Sequence, residues 1–429
     1  MKVQSGLHSD MQLTKRVNTR RPGQFVAKRK TDDDSVTVQN ATATNVQVPL
    51  NQWIHVSFMI KDGQESKSFK DLISEFMAPA MLAQARIVDQ ILLGQAVHFL
   101  KNSSGGLGQL SSTTARAYIL NTRNTMNKNK AYVQNRNLIF TPNSETSVLG
   151  LDLFLAAQQV GDDGTALREA SLGRKLGFDM FMCQNAMSVP AGSTSSTGAV
   201  NLVGGYPAGF DAVNNSIVTD LITGVISTGT WITIGGDNTP YRVSAHSETL
   251  GNTTGIKLDR KLQYAITDDA VITFYTPGAV NFAAGYPAGY AKEIAVDLFT
   301  AAPFVGQPVS FGHAGEPSDL YTIVGVNGTT GITLDRPLEN ALVDDTEVNL
   351  GPAGDYNFAF HRNAFALVCR PLAQPRPGTG ALSAVVNYND LSMRATITYS
   401  GLDQGHLVTL DMLIGVAVLD TNLGAVMLG

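Results

Sequence analysis

Alternating apolar and polar residues mark the segment from Val36 to Ile60 and predict two β-strands. The residues that repeat at a period of two are Val46, Val48 and Leu50, followed by Ile54, Val56, Phe58 and Ile60. We expect the two strands to form an extended hairpin, started by a turn in "RRPGQF" at Arg20 to Phe25. Because a two-stranded ribbon is only marginally stable alone, this hairpin should pack against another part of an assembly, such as a neighbouring subunit.

The hydrophobic period changes from two to that of an α-helix after Ser68. Ser68 can cap this helix, with Asp71 three residues later. The apolar stripe consists of Phe69, Leu72, Ile73, Phe76 and Met77, then Leu82, Ile87, Val88, Ile91 and Leu92. Pro79 is expected to kink or divide the helix. The charges at Lys70, Glu75, Arg86 and Asp89 argue against a membrane span.

The middle of the chain mixes helical and strand patterns before an internal repeat begins. The segment from Ser112 has a helical pattern, the segment from Asn137 predicts a strand, a turn and a helix, and the segment from Leu167 changes from helix to strand. The Gly/Ser/Thr-rich "AGSTSSTGAV" at Ala191 to Val200 is typical of a linker. After the repeat, Met393, Ala395, Ile397 and Tyr399 alternate as in a strand.

Two related segments follow each other between residues 205 and 354. "GYPAG" begins at Gly205 and again at Gly285, and its last four residues, Tyr-Pro-Ala-Gly, suit a turn with proline second and glycine fourth. "TGIKLDRKL" from Thr254 returns as "TGITLDRPL" from Thr330, and Asp268-Asp269 returns as Asp344-Asp345. Two copies are too few for a solenoid. The pattern therefore predicts a duplicated β-module inserted in a host domain, with each copy opening at its GYPAG turn.

Composition and charge narrow the class of protein. The chain has 429 residues with 43% apolar and 16% charged residues, which predicts a folded protein of two to four domains. The formal net charge is −5, yet residues 1–30 carry eight basic residues and one acidic residue. Such an arm could bind nucleic acid, lie on the acidic body of a neighbouring copy, or remain a solvated tail. Cys183 and Cys369 give no disulfide framework, and the first residues lack the apolar core of a signal peptide.

Searches for catalytic motifs return no enzyme signature. HExxH, GxSxG, GxxxxGK[ST] and zinc-type Cys/His spacings do not occur, and the seven histidines stand singly. "TDDDS" at Thr31 to Ser35 lacks the ligand spacing of a calcium loop and is interpreted as a charge cluster opposite the preceding basic residues. "SSGGLGQL" at Ser103 follows a helix instead of a strand and is interpreted as a loop. We therefore predict no enzyme activity, no cofactor and no bound metal.

The order of these parts resembles the major capsid protein of tailed bacteriophages, in the Hong Kong ninety-seven fold. "RRPGQFVAKRKTDDDSVTVQNATATNVQVPLNQWIHVSFMI" resembles the extended loop of that family, and the helix from Ser68 resembles its spine helix. "LREASLGRKLGFDMFMCQNA", "NFAFHRNAFALVCRPL", "LSMRATITYS" and "TLDMLIGVAVLD" are similar to its axial domain, with Phe360 to Phe365 the most specific part. Coat proteins of short-tailed phages in this family can carry an extra β-domain inserted in the axial domain.

The resemblance implies an α+β chain with six parts. They are an N-terminal arm (1–17), an extended loop hairpin (18–62), a spine helix with a peripheral domain (63–150), a first axial part (151–204), an inserted β-region of two repeats (205–280 and 285–354) and a second axial part (355–429).

The resemblance also implies partners and a location. The chain would assemble with copies of itself, as hexamers and pentamers, into an icosahedral shell in the host cytoplasm. Scaffolding, portal and decoration proteins are possible further partners, and packaged double-stranded DNA would be contacted without sequence specificity; no membrane is expected. Our candidates for contacts between subunits are the charged residues at the hairpin: Arg20, Arg21, Lys28, Arg29, Lys30, Asp32, Asp33 and Asp34.

Two other classes of protein remain open from the sequence. A glycan-binding or adhesive phage tail protein would use such β-repeats, with exposed aromatic residues such as Trp231, Tyr206 or Tyr286 to stack on sugars. An enzyme with an unrecognised site is the other alternative.

Overall fold

A computed structural model of the chain divides it into two compact units. Unit 1 comprises Met1–Val88 and Phe365–Leu419, and unit 2 comprises Asp89–Ala364 and Asp420–Gly429. The structure describes residues 16–22, 27, 29–30, 43–66, 72–106, 108–151, 172–189, 196–201, 215–220, 222, 226, 228–236, 239–274, 278–299, 302–311, 320–376, 378–388 and 391–429.

Helices and strands are mixed over the first 189 residues of the chain. The first group is β1 (Arg16–Pro22), β2 (Ala43–Pro49), β3 (Gln52–Lys61), α1 (Asp62–Glu65) and α2 (Leu72–Gly94). A 3₁₀ helix (Gln95–Asn102) leads to β4 (Ser103–Gly105), α3 (Ala115–Lys128), β5 (Arg136–Phe140), α4 (Pro142–Leu149), β6 (Arg174–Lys175), β7 (Phe178–Met182) and β8 (Ser188–Val189).

The strands of the repeat region and of the C-terminal region follow. They are β9 (Ser196–Val200), β10 (Ser216–Asp220), β11 (Trp231–Ile234), β12 (Tyr241–Thr249), β13 (Asn252–Leu258), β14 (Val271–Phe274), β15 (Gly278–Val280), β16 (Ile294–Asp297), β17 (Pro308–Phe311), β18 (Leu320–Asn327), β19 (Gly331–Leu334) and β20 (Glu347–Leu350). The last are β21 (Gly354–His361), β22 (Phe365–Arg370), β23 (Leu382–Tyr388), β24 (Leu391–Ser400), β25 (Gly405–Val418) and β26 (Gly424–Leu428), with a 3₁₀ turn (Thr421–Leu423) before β26.

The hairpin of unit 1 is formed by β1 and β2, not by β2 and β3. β1 and β2 pair antiparallel from Arg16↔Pro49 to Pro22↔Ala43. The predicted turn was therefore wrong for Arg20 to Pro22, which continue β1; the rest of "RRPGQF" lies outside the described residues. β3 instead pairs with β25 over its whole length, from Gln52↔Ile414 to Lys61↔Gly405. This pairing makes β3 part of a larger sheet instead of a marginally stable two-stranded ribbon.

Helix α2 packs on the five-stranded sheet of unit 1. The Gln84 side chain donates a hydrogen bond to the Leu410 carbonyl at 2.6 Å, and the Phe58 and Phe76 rings lie 5.9 Å apart. The helix continues through Pro79 without a break, although a division was possible there; the predicted cap at Ser68 lies outside the described residues. By length and composition alone, the stretch from Glu75 to Asn102 is long and apolar enough to cross a membrane.

Unit 2 is organised around a mixed sheet. Its strand order is β4-β26-β21-β5-β7-β6, and β8 pairs with β21. The core includes Leu138, Phe178, Ala359 and Met427, all fully or almost fully buried. Arg136 is also buried, and its guanidinium donates to the Tyr132 and Ala131 carbonyls and to Asn127 Oδ1 at 2.6 to 2.9 Å. These bonds satisfy a charge that would otherwise be costly to bury.

The repeat region folds into two closed six-stranded β-barrels. The first has the strand order β10-β13-β12-β11-β14-β9, and the second has β15-β16-β19-β18-β17-β20. Taken from the first strand of each barrel, both circuits run through the strands as 1-2-5-4-3-6, so the two barrels have the same topology. The duplication that the sequence suggested is therefore present in the strand pairing.

Each barrel begins one strand earlier than the sequence suggested. β9 lies in the segment predicted to be a linker, and β15 precedes the GYPAG turn at Gly285. The GYPAG turns therefore do not open the units. A signal was present, since "GAVN" begins at Gly198 and again at Gly278, and it marks the first strand of both barrels.

The barrels are an insertion between two neighbouring strands. β8 precedes them, β21 follows them, and these strands pair through Val189↔Gly354 and Ser188↔Asp355. The chain therefore leaves and re-enters the sheet at adjacent points, as an inserted domain requires.

The C-terminal range 355–429, which we assigned to one axial part, is divided between the two units. β21 and β26 belong to the sheet of unit 2, whereas β22 to β25 form the sheet of unit 1 with β3. The physical reason is the pairing of β25 with both β3 and β24, which no local pattern in the sequence specifies.

Candidate intersubunit surfaces

The predicted charged contact residues fall at the hairpin of unit 1. Arg20 and Arg21 lie in β1 opposite Asn45 and Thr44 of β2. Arg29 and Lys30 are exposed. The other four candidates, Lys28, Asp32, Asp33 and Asp34, lie outside the described residues, and so does the "TDDDS" segment. Of the residues predicted to contact another subunit, the structure therefore describes four of the five basic ones and none of the three acidic ones.

The five-stranded sheet of unit 1 offers a surface that sequence reasoning missed. Directly opposite residues of an antiparallel pair point to the same face of a sheet. Leu410 is opposite Ala395, which is opposite Ala384, and these belong to the face on which Gln84 of α2 lies. Along β23 this face continues to Leu382 and Val386.

The helix covers the apolar face only over β3 and β25. Leu410 is fully buried, whereas Leu382 is 73% exposed and Val386 is 55% exposed. We call Leu382, Ala384, Val386 and Tyr399 the open face. Exposed apolar residues also occur on α2 itself, at Phe76, Met81 and Leu82. Contiguous apolar surface of this kind is typical of a protein–protein contact.

An ion pair lies on the opposite face of the same sheet. The Arg394 guanidinium donates to both carboxylate oxygens of Asp411, with Nε to Oδ1 at 2.9 Å, and it also donates to the Ala373 carbonyl. Asp411 is 4% exposed. The hydrogen bond to Asp411 raises the pKa of Arg394. A bidentate pair of this kind holds the Arg394 side chain in one orientation next to the segment around Ala373.

Two histidines of unit 2 stay neutral at neutral pH. Burial, together with the positive charge of Arg336, lowers the pKa of His98 from 6.5 to about 3. Burial also lowers the pKa of His361, whose Nδ1 accepts the Asn363 backbone N–H at 3.2 Å and whose ring contacts Tyr132. These contacts fit the structural role that the sequence predicted for both residues.

The aromatic residues named for a glycan-binding alternative are not exposed. Trp231 is 5% exposed and Tyr286 is 6% exposed, and Tyr206 lies outside the described residues. Tyr286 belongs to the core of the second barrel, and its hydroxyl accepts the Ala295 backbone N–H at 2.8 Å. Neither ring can stack on a sugar from this position, so the alternative loses two of its three residues.

The GYPAG turn of the second barrel has a structural explanation. Gly285 has a φ of 65°, and a Cβ at this position would lie 2.5 Å from the Leu342 carbonyl oxygen. Tyr286 pairs with Leu342 as an isolated bridge. Glycine is thus required both for the left-handed backbone and for the close approach that lets Tyr286 enter the core.

Comparison with known proteins finds similarity in structure only. No model of a protein family matches the chain, and no curated protein matches it. A solved structure from "Mycobacterium phage Che8" is 10% identical with a TM-score of 0.44, covering 96% of this chain and 84% of that one. The "Capsid structure of the Cyanophage P-SCSP1u" is 9% identical with a TM-score of 0.44, covering 96% and 83%. The "Asymmetric unit of bacteriophage PhiM1 mature capsid" is 8% identical with a TM-score of 0.41, covering 96% and 82%.

Proposed function

We propose that the chain is the major capsid protein of a tailed phage and assembles with copies of itself, as hexamers and pentamers, into an icosahedral shell around double-stranded DNA. The observation that carries this proposal is the open face of unit 1. A sheet whose apolar side is half covered by α2 and half exposed is incomplete as a single chain, and a second copy can complete it.

The order of the elements supports the same proposal. A long hairpin, a sheet strand, a long helix and a mixed sheet follow one another, and two barrels are inserted between adjacent strands of that sheet. This is the order that the sequence resemblance implies for a coat protein with an inserted β-domain. In such a chain the barrels supply additional surface, and no catalytic or cofactor role is assigned.

The charged hairpin remains our candidate for a second contact. Arg20, Arg21, Lys28, Arg29 and Lys30 would bind an acidic patch of the next copy, and Asp32, Asp33 and Asp34 would take part from the same segment. Scaffolding, portal and decoration proteins, and the packaged DNA, are further partners under this proposal. The assembled product would reside in the virion after assembly in the host cytoplasm.

Electron microscopy of the purified chain, expressed alone and with its scaffolding protein, tests the proposal. We expect closed shells or rings of five and six copies in the wild type. Leu382→Asp and Val386→Asp should abolish them, because each places a charge in an apolar contact.

The matched control is Leu250→Asp, which changes an apolar residue that is 98% exposed at the tip of a barrel hairpin. It should assemble as the wild type does. A wild-type chain that remains monomeric would refute the proposal. Normal shells from both open-face variants would show that the contact lies elsewhere.

A further inference from the structure

Three metal-ligating side chains come together at one end of the five-stranded sheet of unit 1. Asp62, Glu65 and His406 each present one ligand atom, and these three atoms lie within 4.8 Å of one another. Asp62 and His406 are partly buried and Glu65 is exposed. The three residues are not neighbours in the sequence, since His406 lies on β25 and the two carboxylates lie on α1.

Local structure fixes the position of Asp62. Its backbone N–H donates to the Gln404 carbonyl at 2.9 Å, and its own carbonyl accepts the Ser66 backbone N–H at 2.9 Å. The Tyr399 hydroxyl donates to Asp62 Oδ2 at 2.7 Å. The carboxylate is therefore held from the side of β24, and its Oδ1 is not used in that bond.

The other two ligands follow from the same two elements. Glu65 lies three residues after Asp62 on α1, so both carboxylates share one face of this turn. His406 is directly opposite Tyr399 in the sheet, and the two rings contact each other with centroids 5.3 Å apart. Tyr399 thus contacts two of the three ligand residues and orients both.

The composition of the cluster indicates which ions it suits. An imidazole with two carboxylates favours a borderline divalent transition metal over Mg²⁺ or Ca²⁺, which take oxygen ligands. Metal–ligand bonds of about 2.0–2.2 Å require ligand atoms closer together than 4.8 Å, and rotation of the exposed Glu65 side chain can supply that closure. Three protein ligands leave a position for water.

We propose that Asp62, Glu65 and His406 form a binding site for one divalent transition-metal ion of the zinc type, with Tyr399 as a positioning residue. The ion would connect the segment after β3 to the beginning of β25. The site does not rest on the proposed assembly function, because all its ligands come from one chain.

Metal binding to the full-length chain tests this inference. The purified protein is stripped with a chelator and titrated with Zn²⁺ by calorimetry and with Co²⁺ by visible absorption. We expect one ion per chain, a d–d absorption band with Co²⁺, and no comparable binding of Mg²⁺. His406→Gln should weaken binding by about 100-fold or more, because it removes the nitrogen ligand and the Co²⁺ band that depends on it.

Two further variants keep the test decisive if His406→Gln folds poorly. Glu65→Gln changes an exposed residue and should weaken binding by about tenfold or more without altering the circular dichroism spectrum. Tyr399→Phe removes only the hydroxyl that holds Asp62 and should weaken binding by about 10-fold to 100-fold, as loss of an outer-shell hydrogen bond does.

His246→Gln is the matched control, because His246 is an exposed histidine on β12 outside the cluster. It should bind Zn²⁺ as the wild type does. Absence of stoichiometric binding in the wild type, or equal binding by His406→Gln and His246→Gln, would overturn the inference. Either result can occur whether or not the chain forms shells, so failure of the metal site is distinguishable from failure of the proposed function.

Discussion

The two barrels of unit 2 share one strand order but differ in what their equivalent arginines contact. In the first barrel, Asp259 Oδ1 accepts the Arg242 N–H at 3.2 Å; in the second, Asp335 Oδ1 accepts the Thr322 N–H at 3.0 Å. The Arg following each aspartate lies over a buried tyrosine ring, Arg260 over Tyr241 and Arg336 over Tyr321. These shared contacts belong to the barrel itself.

The arginines then diverge. Arg260 reaches out of its barrel and donates to the Lys101 carbonyl at 2.6 Å and to Ser103 Oγ at 2.7 Å. Arg336 stays within its barrel, donating to the Leu320 carbonyl and pairing with Asp335 and Glu339. Both barrels therefore keep the aspartate hydrogen bond and the arginine–tyrosine contact. Among the described contacts, only the arginine of the first barrel, Arg260, also bonds to the segment that leads into β4 of the host sheet.

The largest effects should come from the barrel cores, which contain equivalent residues in separate clusters. Ile256 belongs to the first cluster and Ile332 to the second. Ile256→Ala and Ile332→Ala should each lower the free energy of unfolding of the barrel concerned by about 3 kcal/mol through a lost transfer term and a cavity. Hydrogen exchange should accelerate only in the mutated barrel. Accelerated exchange in both barrels would contradict the conclusion that the two cores are separate. Val324→Ala, at a half-exposed position, is the control.

The next effect distinguishes the two arginines. Arg260→Ala should cost about 3 kcal/mol, because it removes several charged hydrogen bonds and takes the Arg260 donor from the buried Ser103 hydroxyl, whereas the Ser103 carbonyl keeps its bond from Gln263. Arg336→Ala should cost about 1 kcal/mol, since its ion pairs lie on neighbouring residues of the same barrel. Hydrogen exchange in β4 should increase for Arg260→Ala alone. Equal effects in β4 would show that the arginines do not differ in attachment.

The pH dependence of stability should report the burial of His98, with a smaller contribution from the charge of Arg336. His98 has a pKa of about 3 in the folded chain and 6.5 when unfolded, so the unfolded chain binds more protons as the pH falls below 6.5. Stability is therefore lost as the pH decreases, by about 2 kcal/mol between pH 7 and pH 5 from this residue. Urea denaturation at both pH values should show this loss in the wild type and not in His98→Gln. An identical loss in the variant would assign it to other groups.

The smallest loss of stability is expected from removing one tyrosine hydroxyl in each barrel, and it should be equal in the two barrels. The Tyr241 hydroxyl accepts the Gln263 N–H at 2.7 Å, and the Tyr321 hydroxyl accepts the Glu339 N–H at 2.9 Å. Tyr241→Phe and Tyr321→Phe should each cost about 1 kcal/mol in a denaturation experiment. A clear difference between them would mean that these bonds are not equivalent features of the duplicated fold.

The sequence predicted the duplication well because repeated side chains mark repeated positions. Asp269 and Asp345 both adopt a left-handed backbone, with φ values of 56° and 59°, and their N–H groups donate to the carbonyls of Val200 and Val280. Residues with such local roles are visible in a sequence. The boundaries were less visible, because the first strand of each barrel is short and "GAVN" was hidden in a segment that has the composition of a linker.

Pairing between distant strands was not predictable in the same way. The alternation in β3 correctly indicated a strand, and its one apolar face is equally compatible with β2 or β25 as the partner. The choice of β25 is a long-range pairing that the local pattern of β3 does not specify. The division of residues 355–429 between the two units has the same cause.

The sequence by itself indicated strands in the segment 36–60 and near the C-terminus, that one β-module occurs twice, and that the order of parts resembles a capsid protein. The tertiary structure alone decided which apolar face stays open at Leu382 and Val386, and that His406 meets Asp62 and Glu65. The physical reason is that periodicity and turn chemistry are local, whereas exposure and the meeting of ligands depend on which distant strands pair. A histidine with no other histidine or cysteine near it in the sequence, such as His406, can therefore belong to a cluster of metal-ligating residues in the fold.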